Sequence, residues 1–103
     1  MSKKTMHYMK QCAPIFSMLQ DERRQEITQL LFENRELSVS ALTEKLSLSR
    51  PAVSHHLKLL LDTKLVCVRQ EGKERYYRLN LENALTLLKE LTQSIEQDIE
   101  KMS

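Results

Sequence analysis

A chain of 103 residues, 41% hydrophobic and 29% charged, has the length and balance of one small water-soluble domain with a modest core. No stretch approaches the roughly 20 apolar residues that cross a bilayer, and the opening MSKKTMHYMKQCAPIF lacks the apolar run of a secretory signal, so the expected setting is cytoplasmic, with no membrane. The formal net charge of +2 hides a gradient: residues 1–40 carry six Lys/Arg against five Asp/Glu, residues 41–80 eight against four, and residues 81–103 two against five, which points the middle at a polyanion.

With one Gly and two Pro, helices should dominate. Met6, Met9, Ala13, Phe16 and Leu19 recur at three- and four-residue steps, one stripe of a first helix that Pro14 should kink or restart. DERRQEITQLLFEN follows, with acidic residues in its first turn and Ile27, Leu30 and Leu31 on one side, the pattern of a second helix. ELSVSALTEKL places Val39, Leu42 and Leu46 at helical steps behind Ser38, whose hydroxyl can accept an orphan backbone N–H. After SLS, Ser49 is the cap expected for a second short helix that tolerates Pro51 in its opening turn. Its inner stripe is Val53, Leu57 and Leu60, and its outer one Pro51, Ser54, His55, Lys58 and Asp62.

KLVCVRQEGKERYYRLN changes the period. Leu65 to Arg69 and Arg75 to Leu79 are β-prone runs that meet across the sole glycine, Gly72, as a hairpin with Arg69, Lys73 and Arg75 on or beside its tip. From Leu81 the chain returns to helix, with an apolar line through Ala84, Leu88, Leu91, Ile95, Ile99 and Met102. The predicted fold is therefore mostly α with a small β-hairpin: four helices, two strands and a fifth helix, a winged helix-turn-helix in a single domain spanning residues 1–103. In such a fold the second short helix enters the DNA major groove and the hairpin reaches the neighbouring backbone. Arg50 suits a guanine edge, Ser54 and His55 can reach bases, and Lys58 suits a phosphate.

The stretches LQDERRQEITQLL, ELSVSALTEKLSLSRPAVSHHLKLL and LVCVRQEGKERYYRLN, from Phe16 to Leu79, resemble the ArsR/SmtB family of bacterial repressors, small dimeric winged-helix proteins that release DNA on binding a metal ion or another inducer. The resemblance implies a recognition helix from Arg50 to Lys58, a wing tip at Gly72, and a dimer interface made by the first and last helices. The candidate DNA contacts are then Ser49, Arg50, Pro51, Ser54, His55, His56, Lys58, Arg69, Lys73 and Arg75. The candidate dimer contacts are Met6, Met9, Ala13, Phe16, Leu88, Leu91, Ile95 and Ile99, with residues 1–19 and 81–103 as dimerisation helices. A physical argument leads to the same interface: a final helix of roughly 30 Å outruns a winged core, so its apolar line needs a two-fold-related copy, which also sets two recognition helices against a palindromic operator.

Relatives that sense soft metals carry cysteines in E-L-C-V-C-D-L, where this chain has Glu36-Leu37-Ser38-Val39-Ser40-Ala41-Leu42, and hydroxyls are poor ligands for thiophilic ions. Others bind zinc between paired last helices through histidine, of which residues 81–103 have none. No metal and no cofactor is therefore assigned, and a small inducer remains open and unidentified. Cys12 and Cys67, in no C-x-x-C spacing, read as reduced thiols; a redox or metal sensor using either is the alternative, as is a winged helix devoted to protein or RNA contact. His7 lies five residues from Cys12, off its helical face, although a symmetry mate could complete a site. No phosphate-cradling loop or nucleophile–base set suggests an enzyme. Ser47 and Lys64 stand at turns where relatives often carry glycine, which implies local strain if left-handed backbone is kept. Adjacent His55 and His56 diverge by about 100° and cannot chelate one ion, so the first is assigned to the groove and the second to the scaffold or a phosphate.

Overall fold

Four of the five helices begin where a side-chain oxygen accepts an otherwise orphan amide, and these caps divide the chain. In the computed structural model, which describes residues 1–103, α1 (Lys3–Leu19) is capped by Ser2, α2 (Glu22–Asn34) by Asp21, α3 (Val39–Lys45) by Ser38 and α4 (Arg50–Asp62) by Ser49. Helix α1 runs unbroken through Pro14, at the loss of one main-chain bond, instead of restarting there. The long final helix, α5 (Glu82–Met102), has no side-chain cap.

The sheet is larger than the hairpin expected from sequence. Strands β2 (Val66–Glu71) and β3 (Glu74–Leu79) form the hairpin, and a two-residue strand, β1 (Leu37–Ser38), joins its other side through Leu37↔Tyr77 and Ser38↔Tyr76, giving the order β1-β3-β2. So short a strand has no period of its own, and Ser38 serves both as its last residue and as the cap of α3. Gly72 has φ 62° at the first of the two turn positions, as a hairpin of this length requires.

Two non-glycine residues also take positive φ. Lys64 (φ 62°) ends α4 in a left-handed cap: its amide bonds the Leu61 carbonyl and the Leu65 amide bonds the Leu60 carbonyl, while the Leu60 and Leu65 side chains are both buried. The second is Arg35, not Ser47; Arg35 sits at φ 62°, ψ −51°, bridged by a 2.6 Å bond from the Glu36 amide to the Asn34 carbonyl, a γ-turn of the rare positive-φ kind. That sharp bend lets the chain leave α2 and enter β1 within two residues.

The core packs Ile27 and Leu31 of α2, Val39 and Leu42 of α3, and Val53, Leu57 and Leu60 of α4 against Leu65, Val66 and Tyr77. Val53, Leu57 and Leu60 have no accessible surface, so the inner stripe of α4 is fully spent and its rotation about its own axis is set. His56 reinforces this from the edge of the stripe. Arg24 of α2 donates to its Nδ1 at 3.3 Å and also bonds the Met18 carbonyl, which makes Nδ1 an acceptor and leaves the ring proton on Nε2. Burial pushes the His56 pKa below 6.5; Arg24, His55 and Arg23 add to the lowering, while Asp21 opposes it.

Helices α1 and α5 lie against each other beyond the winged core, and the chain is drawn out to 55 × 24 × 20 Å. Its radius of gyration, 16.6 Å, exceeds the roughly 13 Å of a compact chain this long. Their shared seam buries Thr5, Cys12 and Ile15 against Ala84, Ser94 and Asp98. Thr5 and Ser94 hydroxyls bond each other, and hydrogen bonds from the Thr5 hydroxyl and the Ser2 amide hold the Asp98 carboxyl below its ordinary range. No helix is long and apolar enough to cross a membrane.

Two measurements follow from these contacts. Lys64→Gly should stabilise the chain by about 0.5–1 kcal/mol, because glycine meets no Cβ penalty at this φ; urea unfolding with an unchanged slope measures it. Above about pH 6.5 His56 is neutral in both folded and unfolded chains; as pH falls through 6.5 the unfolded chain takes the proton first, so stability declines until the lower folded value is passed. His56→Gln should flatten that decline between pH 7.5 and 5.5, read from unfolding midpoints.

Candidate nucleic-acid interface

With the inner stripe of α4 buried, Ser49, Arg50, Pro51, Ser54, His55 and Lys58 are all exposed. Alternation along the hairpin divides the wing in the same manner. Lys73 leads into β3, where Arg75 shares a sheet face with Tyr77, the residue paired with Val68 across the strands. A cleft of about 590 Å³ opens between α4 and the wing, lined by Arg50, Ser54, Lys58, Lys73 and Arg75 with Asp62, and walled by Val39, Leu61 and Tyr77. Two segments distant in sequence, α4 and the wing, thus meet on one concave, mostly cationic surface.

Two residues expected in this group are directed elsewhere. Arg69 lies on the other face of β2: its Nε and Nη2 donate to Glu36 at 2.9 and 2.8 Å, its Nη1 to Glu71 at 3.0 Å, and its guanidinium stacks 4.5 Å from the Tyr76 ring. The bond from Arg69 holds the Glu36 carboxyl below its usual range, and both carboxylates raise the pKa of Arg69. Such a doubly held guanidinium ties the wing to the α2–β1 junction. His56 is half-buried and bonded to Arg24, whereas His55 beside it is exposed, with the ring centroids 6.0 Å apart.

Ser40 and Glu74 are the residues that sequence reasoning passed over. Arg50 Nη1 donates to Ser40 Oγ at 2.8 Å, and Ser40 Oγ donates to Glu74 Oε1 at 2.9 Å. The only sequence signal is that Ser40 stands where metal-sensing relatives carry a cysteine. The two serines of that stretch do not fit a soft metal: the Ser38 hydroxyl accepts the Ala41 amide at 3.0 Å as a helix cap, and the Ser40 hydroxyl is committed to Arg50 and Glu74.

The candidate dimer residues also separate. Met6, Phe16 and Ile99 are exposed, at 43%, 51% and 57%, and so is Ala13, while Met9, Leu88 and Ile95 are half-buried. Leu91 is half-buried too, but helical spacing sets it with Ala84 and Ser94 on the side of α5 that meets α1 within the chain. Leu85, 52% exposed, extends the free apolar face of α5, while Met102, 84% exposed, lies at the helix end near Met1 and Ser2. Cys12 is buried in the seam and raised in pKa by that burial, Cys67 is half-buried in β2, and the His7 ring packs edge-on to Tyr8.

Comparison with known proteins agrees with this architecture. The family model described as bacterial regulatory protein, arsR family, matches residues 21–67. The arsenical resistance operon repressor of Staphylococcus aureus is 39% identical over 71 residues, 69% of this chain and 67% of that one. Among solved structures, an ArsR-like transcriptional regulator from Rhodococcus sp. RHA1 superposes with a TM-score of 0.76 at 28% identity, covering 91% of this chain and 88% of that one. The homodimeric winged helix-turn-helix DNA-binding domain from Mycobacterium bovis gives 0.72 at 26% identity, covering 95% and 89%. Fold, sequence match and structural likeness agree, and the chain belongs to the ArsR family of bacterial transcriptional regulators.

Proposed function

We propose that the protein is a homodimeric, sequence-specific DNA-binding repressor that sets α4 in the major groove and the wing on the adjacent backbone. The observation that carries this reading is the single cleft where Arg50, Ser54 and Lys58 of α4 meet Lys73 and Arg75 of the wing. Arg50 offers paired donors to a guanine edge, and Ser54 and His55 lie on the same outer face within reach of bases. Lys58, Lys73 and Arg75 supply the charge that phosphates require, and the exposed N-terminus of α4 at Ser49 and Pro51 adds a partial positive end for one of them. Arg69 and His56 act one step back, holding wing and helix in place.

Residues 1–103 work as one domain, with residues 1–19 and 81–103 as its dimerisation helices. Support comes from the apolar face left by α1 and α5 after they pair, through Met6, Phe16, Leu85 and Ile99, together with the homodimeric Mycobacterium bovis relative. Two-fold symmetry then presents two α4 helices to successive turns of a palindromic operator. Its place of work is the cytoplasm, where bacterial DNA lies. The soft-metal site that relatives carry at the start of α3 is not the route of any DNA release here, since serines stand at both cysteine positions and are engaged in other bonds.

Arg50→Ala and His55→Ala should each abolish preference for one operator base pair while the dimer survives; normal preference in both variants places recognition elsewhere. Wild-type affinity should fall by about a thousandfold between 50 and 200 mM salt with the sequence preference retained, as fluorescence anisotropy would read. Phe16→Glu or Ile99→Glu should yield a folded monomer with weak DNA binding, and an unchanged dimer mass in light scattering would refute the interface.

A further inference from the structure

Three elements meet at the Ser40 hydroxyl: the first turn of α3, the first residue of α4, and the first residue of β3, just past the wing turn. The direction of both bonds is forced. Arginine only donates and an ionised carboxylate only accepts, so Ser40 Oγ takes the Arg50 Nη1 proton at 2.8 Å and gives its own to Glu74 Oε1 at 2.9 Å. The other Glu74 oxygen is buried without a partner. A link that served stability alone would satisfy both oxygens, since an orphaned buried acceptor is costly. The carboxylate also sits between Lys73 and Arg75 in sequence, where negative charge works against phosphate binding.

We propose that Ser40 and Glu74 are positioning residues for base recognition, a relay that aims the Arg50 guanidinium into the groove. Guanidinium has five N–H donors; one goes to Ser40, and the pair that guanine O6 and N7 require stays free. Arg50 can therefore keep its bond to Ser40 while it reads a base, and the plane of its fork is set before DNA arrives. An unheld arginine must be ordered during binding, and it contacts phosphate and base alike. The relay thus gives up a little non-specific affinity for discrimination at one base pair. This inference rests on the base-reading role of Arg50 proposed above.

The test uses the full chain, an operator selected from random duplexes, and a set of operators each changed at one base pair, with dissociation constants measured at fixed salt and thermal midpoints recorded alongside. Arg50→Ala should lose preference at one base pair. Ser40→Ala and Glu74→Ala should each lower preference at that same base pair at least threefold, leave the other positions unchanged, and leave affinity for an unrelated duplex equal or higher. Glu74→Gln, which keeps an acceptor for the serine proton, should restore the preference, and Ser40→Ala should have no further effect in an Arg50→Ala background. If Ser40→Ala does not fold, Glu74→Ala breaks the relay from its other end. Loss in Arg50→Ala with full preference in Ser40→Ala and Glu74→Ala overturns the relay alone, as does a loss spread evenly over all base pairs. Retention of every preference by Arg50→Ala overturns the base-reading role and the relay with it.

Discussion

Complete burial of Val53, Leu57 and Leu60 is the constraint from which the rest of the molecule follows. Each such side chain contributes about 1.5–3 kcal/mol when withdrawn from water, so α4 cannot turn about its axis without forfeiting most of its attachment. Once that stripe faces Ile27, Leu31 and Leu42, the opposite residues have only solvent to meet. The surface proposed for DNA is thus a consequence of core packing: Arg50, Ser54 and Lys58 are outward because Val53, Leu57 and Leu60 are inward. The bond from Arg24 to His56 adds a polar stop at the edge of the stripe.

The same division of labour governs the wing. Pairing of β1 with β3 and the two bonds from Arg69 to Glu36 anchor one side of the hairpin to the α2–β1 junction, and the strained turn at Arg35 makes that junction short. The other face, carrying Arg75 and Tyr77, is left to close the cleft with α4. Held at that junction, the hairpin brings Lys73 and Arg75 to the cleft that Lys58 also lines.

Helices α1 and α5 obey a different balance. Their mutual seam is partly polar, through Thr5, Ser94, Ser2 and Asp98, and these groups bond each other in a single register. With the seam closed in this way, Phe16 of α1 and Leu85 and Ile99 of α5 stay exposed.

Much of this was legible in the sequence because it rests on local rules. Helical spacing located α2, α3, α4 and α5 closely, hydroxyl caps marked the starts of α3 and α4, the lone glycine marked the wing turn, and the charge gradient pointed at the basic middle. Amphipathic period separated the faces of α4, hence Ser54 and Lys58 from Val53 and Leu57. Tertiary structure alone decided which outward groups are free and which are bound. Arg69 and Arg75 are equal as sequence, yet one is spent on Glu36 and the other faces the cleft, because strand alternation sends them to opposite sides of the hairpin. Ser2 and Asp98 lie near opposite ends of the chain, and Ser40, Arg50 and Glu74 on three different elements; no local period encodes such meetings. What the sequence determined by itself is the set of faces each element would present, since those depend on neighbours three and four residues away. Which partner each polar group would find depends on the paths of other segments through space, and that only the folded chain decides.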